Sequence, residues 1–197
     1  MNEKIDWNDV FDRAIREHLE VVRQLANQLD VLEGIARAMT STLRAGGKIM
    51  WCGNGGSAAD CQHLAAELVG RFRRERQGLA AIALTTDTSI LTAIANDYGY
   101  DAVFARQVEA LGGDRDLLVG ISTSGNSANV VAAIEIGRSL GMTTVAFTGE
   151  GGGKLSEIAH HTLSVKARDT ARVQEAHILL GHMLCDRIEV DWMDSQG

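Results

Sequence analysis

His63 and Glu67 stand four residues apart in CQHLAAELVGRF (61–72), a run that reads as a helix, so both side chains leave one face of it. An imidazole and a carboxylate held together can move a proton between two atoms of a substrate, and both are also metal ligands. Just before them lies CGNGGS (52–57), in which three glycines, an asparagine and a serine separate a strand-like run from that helix. Such a turn lets backbone N–H groups approach an anion, and the positive end of the helix dipole favours its charge. A second loop, GISTSGNSANV (120–130), repeats the arrangement and offers the hydroxyls of Ser122, Thr123, Ser124 and Ser127. Neutral donors crowded in this way suit a phosphate monoester. Either loop alone is equally a tight strand-to-helix turn capped by serine.

Other phosphate motifs do not fit. G-x-x-x-x-G-K-[ST] is absent, and the first loop lacks a full G-x-G-x-x-G, so neither a P-loop nucleotide nor a dinucleotide is indicated. Further candidates lie on the closing helical run. Gln174 and His182 are eight residues apart, two turns along and about 80° around the axis, so both can border one cleft. His177 is as good a candidate as His182 by periodicity alone.

These residues need a scaffold that gathers them. Residues 8–29 form an amphipathic helix whose stripe includes Phe11, Ile15, His18, Val22, Leu25 and Leu29, and a second helix spans about 31–44 before Gly46–Gly47. His18 reads as a surface or interface residue. The chain then alternates strands at 48–53, 81–84, 116–123, 143–149 and 161–165 with helices at 57–71, 88–95, 101–111, 127–140 and 170–190. Alternation of this kind predicts a three-layer α/β/α sandwich with a five-stranded parallel sheet, flavodoxin-like, behind an N-terminal helical extension. In such sheets ligands bind beyond the carboxyl ends of the strands, where both glycine- and serine-rich loops fall. No linker or repeat interrupts the pattern, so residues 1–197 are expected to be one domain, with helices over 1–45 and the α/β core over 46–197.

Composition narrows the function. The 197 residues are 45% hydrophobic and 23% charged, with net charge −7, and no Lys or Arg run exceeds the pair Arg73–Arg74. Binding nucleic acid through a basic face is therefore not expected. The N-terminus MNEKIDWNDVF lacks a secretory pattern, and no stretch approaches a membrane span, so the expected location is cytoplasmic. Three cysteines (Cys52, Cys61, Cys185) have neither the count nor the spacing of a disulfide framework or a zinc knuckle. Proline is absent altogether.

In combination, CGNGGSAADCQHLAAEL, ALTTDTSILTAIANDYGY, GISTSGNSANV and RVQEAHILLGH resemble the phosphoheptose isomerase family, whose fold is the sugar isomerase (SIS) domain. The resemblance spans nearly the whole chain. It implies isomerisation of D-sedoheptulose 7-phosphate to D-glycero-D-manno-heptose 7-phosphate through an enediol, the first step towards nucleotide-activated heptoses of bacterial surface polysaccharide. It assigns Glu67 as base and His182, the second histidine of Q-E-x-H-x-x-x-x-H, as acid. For the substrate it implies Asn54, Gly55, Gly56, Ser57, Glu67, Asn96, Asp97, Ser122, Thr123, Ser124, Ser127 and Gln174. Read by themselves, Asn96 and Asp97 look like a helix end before a glycine turn. The resemblance further implies one zinc per subunit on His63, Glu67, Gln174 and His182, no organic cofactor, and a homotetramer. Family members often carry proline near Gln77, Ala80 and Lys166, where this chain has none. Two rivals share the domain: a non-catalytic paralogue that binds the bacterial replication initiator, and a phosphosugar-sensing module. The paralogue lacks the carboxylate that HLAAE retains as Glu67, which favours the enzyme.

Overall fold

The structure is a computed structural model in which residues 7–194 are described. The described residues begin with α1 (Trp7–Gln24), a 3-10 turn (Leu25–Gln28) and α2 (Leu29–Arg44). The sequence reading carried the first helix through to residue 29. The structure ends α1 at Gln24, and at the close of the 3-10 turn Gln28 leaves helical geometry at φ −116° and ψ 10°. Its amide donates to Ser164 O at 2.8 Å and accepts from Ser164 N at 3.0 Å. One side chain thereby satisfies backbone groups on an edge strand that would otherwise lie open. His18, on α1, bonds Glu175 at 2.8 Å and ties the helix to the end of the chain.

The core alternates β1 (Ile49–Gly53), α3 (Gly56–Val69), β2 (Ala81–Ala83), α4 (Thr88–Tyr98), α5 (Ala105–Leu111), β3 (Leu117–Ser122), α6 (Ala128–Ser139), β4 (Thr143–Thr148), α7 (Gly153–Ile158), β5 (His161–Ser164) and α8 (Thr170–Asp194). All strand pairs are parallel, in the order β2-β1-β3-β4-β5. This is the flavodoxin-like order. Every residue of β1 (IMWCG) and β3 (LLVGIS) is buried, as expected of central strands covered on both faces. The edge strand β2 is only partly covered.

Two apolar clusters fill the sandwich. On one face, Trp51, Val119 and Phe147 meet α2, α3 and α8 through Ile35, Leu64, Leu68, Leu180 and Leu184. On the other, Met50, Leu118 and Ala146 meet Phe104, Val108, Val130 and Ile134 of the α5–α6 layer. Strand order reverses between β1 and β3, so the loops leaving these two neighbours diverge and open a crevice at their carboxyl ends. The short helix α7, absent from the sequence reading, buttresses that crevice. Leu155 N donates to Gly125 O and Lys154 N to Asn126 Oδ1.

Candidate active site

The first loop leaves β1 at Gly53 and enters α3 through Gly55. The second leaves β3 at Ser122 and enters α6 through Ser127. Register pairs Gly53 with Ile121, so the two loops start side by side. Serine side-chain capping, the alternative reading of each loop, is not how these helices begin. Gly55 caps α3 without a side-chain bond, Ser57 is buried, and Ser127 makes no side-chain bond to α6. Ser127 Oγ instead lies 2.8 Å from Ser122 Oγ, which is 3.3 Å from Ser124 Oγ. The hydroxyls have been drawn from capping into a cluster. That arrangement can wrap an oxyanion.

Asn54 is held by a residue that the sequence reading missed. Its Nδ2 donates to Asn129 Oδ1 at 2.8 Å, and Asn129 Nδ2 returns the bond to Asn54 Oδ1 at 2.8 Å. Asn129 is buried and also accepts from Val130 N, so the pair locks the first loop to the first turn of α6. Tyr100 donates its hydroxyl to the same Asn54 oxygen at 3.3 Å. Asn96 and Asp97 end α4, where Asn96 Nδ2 donates to Asp97 Oδ1 at 2.8 Å. Both are exposed, and Tyr100 is what links their segment to the loop.

The proton-transfer residues converge from α3 and α8. His63 Nε2 lies 2.9 Å from His182 Nε2 and 3.3 Å from Glu67 Oε1. Packing explains the approach. A Cβ on Gly181 would fall 2.5 Å from Leu64 Cδ1, so the two helices touch there through a glycine. His63 and His182 are the next residues along. Gln174, two turns before His182, rests its amide on Gly56, where a Cβ would meet Nε2 at 2.5 Å. The structure thus groups three of the four expected metal ligands and sets the fourth, Gln174 of α8, against the first loop. His177 turns away into the core, fully buried, and bonds Thr148 O at 3.0 Å. Of the two histidines that periodicity left open, His182 is the one that meets His63.

Burial holds the His182 imidazole below the usual histidine range; His63 and Arg73 push the same way, and Glu67 opposes them. A neutral imidazole is available there near neutral pH. The donor atoms of His63, Glu67 and His182 all lie within 4.8 Å of one another. A tetrahedral zinc with bonds of about 2.0–2.1 Å would space its ligand atoms by about 3.3 Å, so the cluster fits zinc with little adjustment. The cysteines offer no competing chemistry. All three are free and buried, and burial pushes the Cys52 and Cys185 thiols up to about 12. Among the described residues, no helix is long and apolar enough to cross a membrane.

A parallel sheet of this order, with hydroxyl-lined and glycine-rich loops at its switch point, is of the doubly wound α/β class, and the SIS domain family matches residues 11–149. The chain is 55% identical over 167 residues to a phosphoheptose isomerase of Akkermansia muciniphila, covering 85% of this chain and 88% of that protein. It is 54% identical over 187 residues to one from Roseiflexus sp., covering 92% and 95%. Among solved structures, phosphoheptose isomerase GmhA from Neisseria gonorrhoeae superposes with a TM-score of 0.89 at 45% identity, covering 94% of this chain and all of that one. The chain belongs to the phosphoheptose isomerases of the SIS-domain family.

Proposed function

We propose that this enzyme interconverts D-sedoheptulose 7-phosphate and D-glycero-D-manno-heptose 7-phosphate through an enediol, with Glu67 as base and His182 as acid. The observation that carries this reading is the meeting of Glu67, His63 and His182 across α3 and α8, with Gln174 of α8 against the first loop. In this reading the phosphate lies among Ser122, Thr123, Ser124 and Ser127, on the backbone of Gly55 and Gly56 with Ser57 beneath. Asn54, Gln174 and, at the rim, Asn96 and Asp97 receive the sugar hydroxyls. Glu67 takes the proton from carbon 1 of the ketose and returns it to carbon 2. His182 moves the proton between the two oxygens, the acid–base task that an imidazole performs.

His63, Glu67 and His182, with Gln174 as a fourth donor, would hold one zinc per subunit. When bound, zinc supplies Lewis acidity toward the sugar oxygens. The two apolar clusters share one sheet, which supports reading the chain as a single domain. Along α1, Trp7, Phe11, Ile15 and Leu19 recur every fourth residue and are exposed in the single chain. A stripe of that kind needs covering, which supports the homotetramer. A cytoplasmic enzyme feeding the synthesis of nucleotide-activated heptoses fits this chemistry. The reading is tested by incubating the purified chain with sedoheptulose 7-phosphate and following the aldose by NMR, with and without zinc. Formation of the heptose supports it. Binding of the ketose without conversion contradicts it and points to a sensing module.

A further inference from the structure

The arginine-rich segment RFRRERQ (71–77) supplies none of the residues assigned above, yet one face of α8 is built to hold it. Glu189 has a fully buried side chain, and its Oε1 accepts from Phe72 N at 2.8 Å while lying 3.1 Å from Arg76 Nη2. Its Oε2 accepts from Arg73 N and Arg74 N, both at 2.9 Å. One turn earlier, Asp186 takes Arg73 at 3.1 Å and Arg74 at 2.5 Å. Arg76, itself buried, reaches back to the end of α3, donating to Glu67 O and Leu68 O at 2.9 Å each. A buried carboxylate is tolerable only when its hydrogen bonds are met, and this one accepts three backbone N–H groups and faces a guanidinium. The turn is therefore fixed to both helices of the site.

What the turn delivers is Phe72. Its ring lies 5.3 Å from the His182 ring, centroid to centroid, with only 20° between the planes, and the Arg73 guanidinium covers Phe72 at 5.1 Å. His182, Asp186 and Glu189 occupy one face of α8 at i, i+4 and i+7, so a single face holds both the imidazole and the turn that stacks on it. An imidazole at the margin of a cleft can rotate about its side-chain torsions, and each rotation carries Nε2 away from its partners. A flat ring against it restricts that freedom.

We propose that Phe72 is a positioning residue for the isomerisation. Its ring holds the His182 imidazole directed at His63 and Glu67, and the Arg76–Glu189 pair fixes the turn that presents it. The inference rests on His182 acting as the acid. A purely structural Phe72 is replaceable by another apolar side chain of similar volume, whereas an orienting plane is not.

The test measures kcat and KM for sedoheptulose 7-phosphate, with melting temperatures, for the full chain and its Phe72→Leu and Phe72→Tyr variants. Phe72→Leu is expected to lower kcat roughly ten-fold with KM changed by less than about two-fold, and Phe72→Tyr to recover most of the loss. An active wild type with kcat unchanged in Phe72→Leu overturns the inference alone. So does a loss that follows melting temperature and is not recovered by tyrosine. A wild type that leaves the ketose unconverted overturns the isomerase reading, and this inference with it.

Discussion

His63 Nε2 stands 2.9 Å from His182 Nε2, across a helix contact in which Gly181 lies against Leu64. Two imidazole nitrogens facing each other beside a carboxylate must share a proton or a cation. Zinc is accordingly expected to bind the wild-type chain at a ratio near one and to raise its melting temperature. Loss of an outer-shell partner commonly weakens metal binding 10- to 100-fold, so removing a direct ligand in His63→Ala should weaken it by more than about 100-fold. Titration calorimetry decides this, and equal affinities would remove the metal from His63.

The serine cluster makes a separable prediction, because a phosphate far from the reacting carbons contributes to binding in the ground and transition states alike. A hydrogen bond to a charged group contributes about 1.5–3 kcal/mol, so Ser124→Ala or Ser127→Ala should raise KM roughly ten-fold or more with little change in kcat. Steady-state kinetics on the heptose phosphate reads this directly. An unchanged KM in both variants would move the phosphate elsewhere.

Glu189 bears on stability. In Glu189→Gln a donor amide replaces one of two oxygens that together face three backbone N–H groups and Arg76. Breaking a buried pair in this way costs roughly 3–5 kcal/mol. Denaturant unfolding should show a loss of that size, and a loss below about 1 kcal/mol, the size of an exposed pair, would mean that the pair behaves as a surface one.

His177 sets part of the acid response. Burial lowers its pKa to about 4, against the bond to Thr148 O. The unfolded chain then binds a proton near pH 6.5 that the folded chain refuses until about pH 4, so stability is full above that window and falls as pH drops through it. At roughly 1.4 kcal/mol per pH unit the loss approaches about 3 kcal/mol. Glu189 acts in the same direction at lower pH. Burial raises its pKa, but the N–H groups of Arg73, Phe72 and Arg74, with Arg76, outweigh this and hold it ionised. Unfolding free energy measured against pH should therefore be shallower between 6.5 and 4 in His177→Gln, and equal slopes would contradict the assignment.

Much of this was legible in the sequence for identifiable reasons. β1 and β3 announce themselves because central strands are apolar throughout, and both loops follow from small residues placed directly after them. The His63–Glu67 pair follows from helical spacing alone. Other features depend on distant partners. Periodicity could not choose between His177 and His182, since the choice lies in which meets Thr148 and which meets His63. α7 hides behind Gly151–Gly153, and Gln28, in the 3-10 turn after α1, bonds a strand 136 residues away. Asn129, Phe72 and Glu189 were missed because their partners are remote in sequence. Glu189 did leave a signal, a carboxylate beside Ile188 on the buried face of α8, matched by the arginines of 71–77.

The most direct test of the account is kcat for sedoheptulose 7-phosphate in Glu67→Gln, an almost isosteric change that removes the base. General base catalysis contributes about 10²- to 10⁴-fold, so the variant should fall by at least about 100-fold while its melting temperature stays close to that of wild type. Activity within a few-fold of wild type would contradict the central claim that Glu67 moves the proton.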